Sequence, residues 1–174
     1  PYLSRGLGDV YKRQVYALHN WPELPLGTFG VNSGPMMAAV DEFDITVKGK
    51  GGHAASPHLA IDPVVISAQV ISAVQTIISR STDPVDKALI SITKINAGTA
   101  YNVIDDQVKM GGTIRTFRRE TRAYIEKRLN ELCKGIADAH GAEIKIEFDL
   151  VNKYPPTINS KEETKFAANV AKDL

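Results

Sequence analysis

The order of periodic segments between residues 41 and 151 limits this chain to very few folds. Four segments are predicted strands, and in three of them apolar and polar residues alternate with a period of two, which predicts half-buried strands. In chain order they are Phe43–Val47, residues 88–97, residues 106–117 and Ile144–Leu150. In the third segment, Val108, Met110 and Ile114 are predicted to point to one side, with Lys109, Thr113 and Arg115 on the other.

Two helical segments separate these strands. The first begins at Asp62-Pro63, because aspartate caps free backbone amides and proline suits the first helical position, and it ends near Arg80. The second covers about residues 119–140 and carries one apolar stripe. The order β-α-β-β-α-β predicts an α+β domain of the ferredoxin-like type, a four-stranded antiparallel sheet with two helices on one face.

The first helix lacks a charged side. No charged residue occurs between Val64 and Ser79, whereas a surface helix normally shows a charged outer face. Complete burial within one chain would explain this. We favour the other explanation, a second face covered by another subunit or domain.

Composition argues against several classes of function. The 174 residues carry 21 basic and 20 acidic side chains, a net charge of +1, so the chain lacks the electrostatic footprint of a nucleic-acid or membrane binder. No apolar run approaches about 18 residues, so we expect no transmembrane helix. The single cysteine, Cys133, excludes an intrachain disulfide and fits a cytoplasmic location. We expect Cys133 and His140 on the apolar stripe to lie in the core.

Two histidines stand where chemistry is common. His19 ends the apolar run Val15–Leu18, and Asn20-Trp21-Pro22 then stops the predicted strand. Side chains at strand ends often line open clefts, and neutral imidazole is a common metal ligand. His53 follows Gly51-Gly52, and a glycine turn of this kind can present the next side chain to a ligand. Taken alone, each is more often structural: a hydrogen-bonded histidine in the first case, a tight turn in the second.

Two further side chains are candidates for substrate binding. Asn102 lies in the loop after Gly98, where its amide could equally complete a turn. Arg115 offers five donors and a permanent charge, which suit a carboxylate. A solvated strand residue is nevertheless the more common role of such an arginine.

The joint order of seven motifs is more informative than any single residue. They are Leu-His-Asn-Trp-Pro at 18–22, Gly-Pro-Met-Met-Ala-Ala at 34–39, Asp-Glu-Phe at 41–43, Gly-Lys-Gly-Gly-His-Ala-Ala-Ser-Pro-His at 49–58, Asp-Pro at 62–63, Gly-Thr-Ala-Tyr-Asn-Val-Ile at 98–104 and Gly-Thr-Ile-Arg-Thr-Phe at 112–117. Together they resemble the aminoacylase/carboxypeptidase-like metallopeptidase family, in the amidohydrolase branch that includes hippurate hydrolases, N-acyl-amino-acid deacylases and auxin-conjugate hydrolases. The resemblance covers residues 15–174.

The resemblance implies a two-domain enzyme. An α/β catalytic domain with two divalent metal ions is interrupted by a ferredoxin-like lid, which also forms a homodimer. Residues 41–151 match the lid, residues 15–40 match the end of a catalytic-domain strand and its connection, and residues 152–174 match the return. Residues 1–14 look foreign to this arrangement, like a translated adapter, and both ends indicate a piece of a longer protein.

The same resemblance implies a role for each candidate residue. His19 matches a metal ligand, and His53 matches a lid histidine that reaches the neighbouring subunit's active site and steadies the oxyanion. Asn102 and Arg115 match residues that hold the substrate, Arg115 at its carboxylate. The implied substrate is an N-acyl amino acid of the hippurate or N-acetyl type. The implied metal is zinc or manganese, and cobalt or nickel share such ligands.

Two departures from the family pattern matter. Asp105 stands where the family usually has proline, an exchange expected to loosen the loop that holds Asn102. The Cys-x-His ligand motif, the general-base glutamate and the last histidine ligand are absent from these residues. One imidazole cannot hold a catalytic metal, so the chain alone is expected to be inactive.

The alternative is a non-enzymatic ferredoxin-like module that binds small molecules or a partner. Fold alone cannot decide, because this fold carries many functions. His19 lies outside the β-α-β-β-α-β unit, where a stand-alone module has no use for it. Its presence favours the enzyme.

Overall fold

The computed structural model describes residues 14–149 and 153–173. Four of its strands are those predicted, and four shorter ones were not. In chain order the strands are β1 (Gly34–Met37), β2 (Ala39–Lys48), β3 (Gly52–His53), β4 (Ala88–Asn96), β5 (Val103–Ile104), β6 (Gln107–Thr116), β7 (Glu143–Phe148) and β8 (Thr157–Asn159).

The predicted ferredoxin-like sheet is confirmed. Its strand order is β4-β6-β2-β7, and every neighbouring pair is antiparallel. The helices are α1 (Pro63–Thr76), which continues as a π-helical turn over Ile77–Ser81, α2 (Arg119–His140) and α3 (Lys161–Lys172). α1 begins where the sequence predicted, because the Asp62 carboxylate accepts hydrogen bonds from the amides of Val64 and Val65, at 2.8 and 3.4 Å.

The core lies between one face of the sheet and the helices α1 and α2. Each buried aliphatic side chain there contributes about 1.5–3 kcal/mol relative to an exposed one. Its fully buried large members include Ile45, Val47, Ile66, Val70, Val74, Met110, Ile114, Ile125 and Leu129. Cys133 belongs to this core as predicted, and burial raises the pKa of its thiol to about 12. The thiol is therefore unreactive at neutral pH.

The prediction of a core position for His140 is wrong. His140 is exposed at the last turn of α2, and its Nε2 lies 2.8 Å from Oε1 of Gln69 on α1. Gly141 ends α2 directly after His140, in the left-handed conformation with φ of 67°, so the ring lies at the end of the helix, where it is exposed.

α1 and its π-helical turn, residues Pro63–Ser81, are long and apolar enough to cross a membrane by length and composition alone. That is weak evidence, because the core helix of a water-exposed domain meets the same criterion. One side of α1 packs on the sheet through Ile66, Val70 and Val74. The opposite side is exposed at Val64, at 43%, and at Val65, at 52%.

The strand predicted to end at His19 does not form. Residues 14–33 contain neither helix nor strand, and Val15 and Leu18 are 65% and 89% exposed. An extended segment is stable only when neighbouring strands complete its hydrogen bonds, and within the described residues nothing pairs with this one. β1 pairs instead with β8, antiparallel.

The chain enters and leaves the sheet at one place. Backbone N–H groups of Val40 and Tyr154 donate to each other's carbonyl oxygens, at 3.2 and 3.3 Å. The domain boundaries predicted near residues 40 and 152 lie within two residues of Val40 and Tyr154. These boundaries stay a prediction.

An ion cluster around the buried Asp41 lies beside this crossing, and its other members, Arg122, Glu126 and Lys153, are half-buried. The carboxylate of Asp41 is 1% exposed and pairs with Arg122, and Lys153 Nζ lies 3.7 Å from it and 3.3 Å from the Glu126 carboxylate. Burial raises the pKa of Asp41, although the charge and hydrogen bond of Arg122 act in the opposite direction. Burial likewise raises the pKa of Glu126. Sequence analysis did not predict this cluster.

Candidate functional site

A two-stranded ribbon brings His53 and Asn102 together. β3 and β5 pair antiparallel, with His53 opposite Val103, and the Ala54 amide donates to the Asn102 carbonyl oxygen at 3.0 Å. Gly51 permits this approach, because a Cβ at that position would lie 2.9 Å from the Ile104 carbonyl oxygen. Both strands have two residues, too few to show an alternation of apolar and polar residues in the sequence. The glycine pair at 51–52 was the one signal that the backbone comes close to another segment here.

The imidazole of His53 is exposed and held by its own turn. The Ser56 amide donates to the His53 carbonyl oxygen at 2.8 Å, which closes the turn. The Ala55 amide donates to Nδ1 of the ring at 3.1 Å. The Nε2 edge of the exposed ring therefore points away from the turn.

In His19 the roles of the two ring nitrogens are reversed. Its Nδ1 lies 2.6 Å from the Asn20 carbonyl oxygen. A carbonyl oxygen only accepts, so Nδ1 is the donor and Nε2 of the neutral ring keeps its lone pair. Histidines that bind metals usually donate their second N–H in this way. His19 is exposed and its ring centroid lies 5.8 Å from that of Trp21.

Arg115 lies at the other end of the sheet, near the end of β6. It is opposite Val40 on one side and Leu89 on the other. Its Nη1 donates to the Thr113 hydroxyl, two residues earlier on the same face, and to the Ile114 carbonyl oxygen at 3.3 Å. The side chain is half-buried, on the face of the sheet opposite to the buried Ile114.

The structure separates Arg115 from the ribbon. β3 and β5 continue beyond the start of β6 at Gln107, since the Gly49 amide donates to the Asp106 carbonyl oxygen at 2.8 Å. Arg115 follows Gln107 by eight residues, which at about 3.3 Å per residue is roughly 26 Å. One small substrate cannot contact both His53 and Arg115 of the same chain.

The described residues contain no group of three or more His, Cys, Asp or Glu side chains that could hold a metal ion. His19 fits the part of one ligand, since its Nε2 is free of a proton and exposed. Residues 14–149 and 153–173 therefore do not form a complete metal centre.

A side-chain hydrogen bond replaces the proline that the family usually has at position 105. The Thr99 hydroxyl donates to Oδ1 of Asp105 at 2.7 Å and so closes the loop that carries Asn102. The loop is also closed inside, where the Val103 amide donates to the Ala100 carbonyl oxygen at 3.3 Å. The loosening expected from the missing proline is opposed by these contacts.

This hydrogen bond makes a testable prediction. Asp105→Ala should destabilise the protein by about 0.5–1.5 kcal/mol, the net worth of one hydrogen bond. Asp105→Pro should cost less, because proline restricts the unfolded chain. Denaturant unfolding measures both, with Thr99→Val and the double variant completing a cycle. If Asp105→Ala and Thr99→Val have additive effects, the hydrogen bond does not hold the loop.

The fold defines a dimerisation domain of the peptidase type. Residues 40–141, more than half of the chain, match the peptidase dimerisation domain of the M20 family. The chain belongs to the M20 peptidase family, which confirms the family resemblance of its motifs.

Proteins of known name are similar to most of this chain. It is 44% identical over 134 residues to the N-acetylcysteine deacetylase of Bacillus subtilis, covering 77% of this chain and 35% of that protein. It is 43% identical over 148 residues to the N-acyl-L-amino acid amidohydrolase of Geobacillus stearothermophilus, covering 85% and 40%. The chain thus spans only 35% and 40% of the lengths of these relatives.

A solved structure has the same fold. The crystal structure of a dinuclear metal-binding peptidase of the M20 family from Bacillus subtilis matches with a TM-score of 0.65 and 36% identity. The match covers 89% of this chain and 37% of that one.

Proposed function

We propose that these residues form the lid of a longer, metal-dependent amidohydrolase that cleaves the amide bond of N-acyl amino acids. Membership of the M20 family supports a hydrolase. The names of two relatives, a deacetylase of N-acetylcysteine and an amidohydrolase of N-acyl-L-amino acids, support the substrate class. The chain spans two fifths or less of both, so the activity belongs to the longer protein.

The separation of His53 from Arg115 is the observation that carries the proposal. Two groups at opposite ends of one sheet serve one small substrate only if they come from different copies of the chain. The ribbon of one lid then enters the site of its partner, where Arg115 and His19 belong to the other copy. The segment with His19 supports this grouping, because β1 joins β2 at the end of the sheet where Arg115 lies.

Each residue has one task in this site. Arg115 binds the free carboxylate of the substrate through charge-assisted hydrogen bonds. The Asn102 amide holds the substrate beside the ribbon. His53 donates a hydrogen bond to the oxygen that becomes negative as water adds to the amide carbon, and donors placed at that oxygen stabilise the transition state.

His19 is proposed to hold one of two divalent ions together with ligands outside the described residues. Zinc or manganese fits an imidazole ligand, as do cobalt and nickel. Such ions, when bound, lower the pKa of a coordinated water and polarise a carbonyl group. One imidazole cannot hold a catalytic metal, and the described residues contain no group of three or more His, Cys, Asp or Glu side chains that could, so the chain alone is expected to be inactive.

The proposed homodimer uses the outer side of α1 and the free edge of β4. The outer side of α1 is a nearly flat surface without charge, formed by Val65, Ala68, Gln69, Ser72, Ala73 and Thr76. β4 is an edge strand that exposes Leu89 and Ile95. The other edge, β7, exposes the charged side chains of Glu143, Lys145 and Glu147, which oppose pairing of strands between chains.

A charge on the outer side of α1 should separate the dimer. Ala68→Glu keeps a good helix former and places two carboxylates in the contact, so the dissociation constant should rise about a hundredfold or more, as for an unpaired buried charge. Sedimentation equilibrium measures this. Ala123→Glu, at an exposed position on α2, is the matched control and should leave dimerisation unchanged. A dimer of unaltered strength in Ala68→Glu contradicts the proposed contact.

The proposed function is tested with the complete enzyme. Amine release from N-acetyl amino acids and from hippurate should be abolished by a chelator and restored by zinc or manganese. Arg115→Ala should raise KM for substrates with a free carboxylate by about tenfold or more, the worth of a hydrogen bond to a charged group. It should affect methyl esters of the same substrates far less.

Lys109→Ala, on the same strand and face, is the control for a general effect of removing a cation. Equal loss of activity on acids and esters would remove Arg115 from the carboxylate site. No amine release from any N-acyl amino acid by the metal-loaded enzyme would leave the non-enzymatic binding module as the better explanation.

A further inference from the structure

Three consecutive backbone amides follow His53, and each has a different acceptor. The Ala54 amide donates to the Asn102 carbonyl oxygen at 3.0 Å, and the Ser56 amide donates to the His53 carbonyl oxygen at 2.8 Å. The Ala55 amide, between them, donates to Nδ1 of the His53 ring at 3.1 Å. The first contact anchors the turn to the loop of Asn102, and the second closes the turn. Together they hold the Ala55 N–H toward the ring.

An amide N–H only donates, so the nitrogen that it contacts must offer a lone pair. Nδ1 of His53 therefore carries no proton while this contact exists. A neutral imidazole has one N–H, and in this ring it must be on Nε2. A shift of that proton to Nδ1 would place two donors against each other at 3.1 Å and break the contact.

We infer that the Ala55 backbone amide is a positioning group that fixes His53 as the Nε2–H tautomer. The neutral ring then presents a hydrogen-bond donor at its exposed edge. The use made of this donor, stabilisation of an oxyanion in a partner's site, rests on the proposed function. The tautomer itself rests on the turn alone.

The tautomer limits what His53 can do. A neutral ring with the proton on Nε2 and an occupied Nδ1 offers no free lone pair. It therefore serves neither as the general base nor as a metal ligand through Nε2. His19 differs in this respect, because its Nδ1 donates to the Asn20 carbonyl oxygen and its Nε2 is free. The two histidines thus have complementary proton arrangements, and only one of them suits a metal.

The tautomer is tested by NMR on this chain with nitrogen-15 labels in histidine and alanine, at about pH 8, where imidazole is neutral. Among the signals of the four histidines, those of His53 are identified as the ones lost in His53→Gln. We expect a protonated nitrogen shift at Nε2, an unprotonated one at Nδ1, and a scalar coupling across the hydrogen bond between the Ala55 nitrogen and Nδ1. A proton on Nδ1 overturns the tautomer, and an absent coupling overturns the role of Ala55.

A second test uses kcat of the complete enzyme. Glutamine places its amide nitrogen near the position of Nε2, whereas asparagine reaches only that of Nδ1. His53→Gln should therefore retain at least about tenfold more kcat than His53→Asn, since part of the oxyanion donor remains. His58→Gln, in the same loop, is the control and should match the unmutated enzyme. Equal kcat in the two His53 variants overturns the donor role.

The two proposals fail in different ways. If the unmutated, metal-loaded enzyme hydrolyses no N-acyl amino acid, the proposed function is wrong, and the NMR result still decides the tautomer. If hydrolysis is found and depends on His53 but the proton is on Nδ1, the inference about Ala55 alone is wrong.

Discussion

Replacing His53 by alanine in the complete enzyme should lower kcat by about a hundredfold or more, the usual cost of losing one oxyanion donor. The effect should fall on kcat because the hydrogen bond to the carbonyl oxygen strengthens as negative charge develops there. Bound metal should be unchanged, since the ring offers no lone pair to a metal. Steady-state kinetics together with metal analysis of the same samples measure both quantities.

Two other histidines serve as controls for this prediction. His19→Ala should lower the metal content, because it removes a proposed ligand, and unchanged metal content would contradict that role. His58→Ala, in the same loop as His53, should behave as the unmutated enzyme. If kcat of His53→Ala is close to normal while the fold is intact, His53 only shapes its turn.

Replacing Arg122 by methionine should lower the free energy of unfolding by about 3 kcal/mol at neutral pH. The substitution keeps the aliphatic stem but leaves the Asp41 carboxylate, 1% exposed, without its closest cation. Removing one partner of a buried ion pair typically costs about 3–5 kcal/mol. We expect the lower end, because Lys153 Nζ remains 3.7 Å from Asp41. Denaturant unfolding measures the loss.

The matched control is Arg118→Met, at the residue that precedes α2. Arg118 pairs with Asp86 at 2.9 Å, and its side chain is 63% exposed. Solvent already screens this pair, so the unfolding midpoint should change far less than in Arg122→Met. Equal losses in the two variants would contradict a special role for the ion cluster around Asp41.

The pH dependence of the same variants has a definite sign. Burial raises the pKa of Asp41 in the folded state, so its contribution to stability is fully present at low pH. The contribution is lost as the pH rises from about 4 through the raised pKa. The loss in Arg122→Met should therefore shrink on acidification, because protonated Asp41 no longer needs a cation.

Asp86 provides the opposite case. Hydrogen bonds from Thr121 and Arg118 lower the pKa of its carboxyl, so its contribution is present above the ordinary pKa and lost as the pH falls. The stability difference between the unmutated protein and Asp86→Asn should grow as the pH rises. For Asp41→Asn it should shrink as the pH rises. The same slope in both would refute the burial argument.

Hydrophobic period was enough to predict the main elements of the fold. The alternation in Phe43–Val47 and in residues 106–117 predicted which side chains face the core, and Val108, Met110 and Ile114 are buried there. Asp62-Pro63 predicted the start of α1 because capping is a local interaction. The strand before His19 was predicted from a short apolar run, Val15–Leu18, and does not form. A strand depends on neighbours that its own sequence does not contain.

The amino-acid sequence by itself determined the β-α-β-β-α-β order, the uncharged side of α1 and the M20 motifs, because each depends on residues close together in the chain. The tertiary structure alone decided that His53 and Asn102 share a ribbon beyond the start of β6, while Arg115 lies near the far end of that strand, roughly 26 Å from Gln107. It also decided the burial of Asp41 beside Arg122, 81 residues away in the chain. Such contacts depend on the register of strands and the packing of helices, which no local pattern encodes.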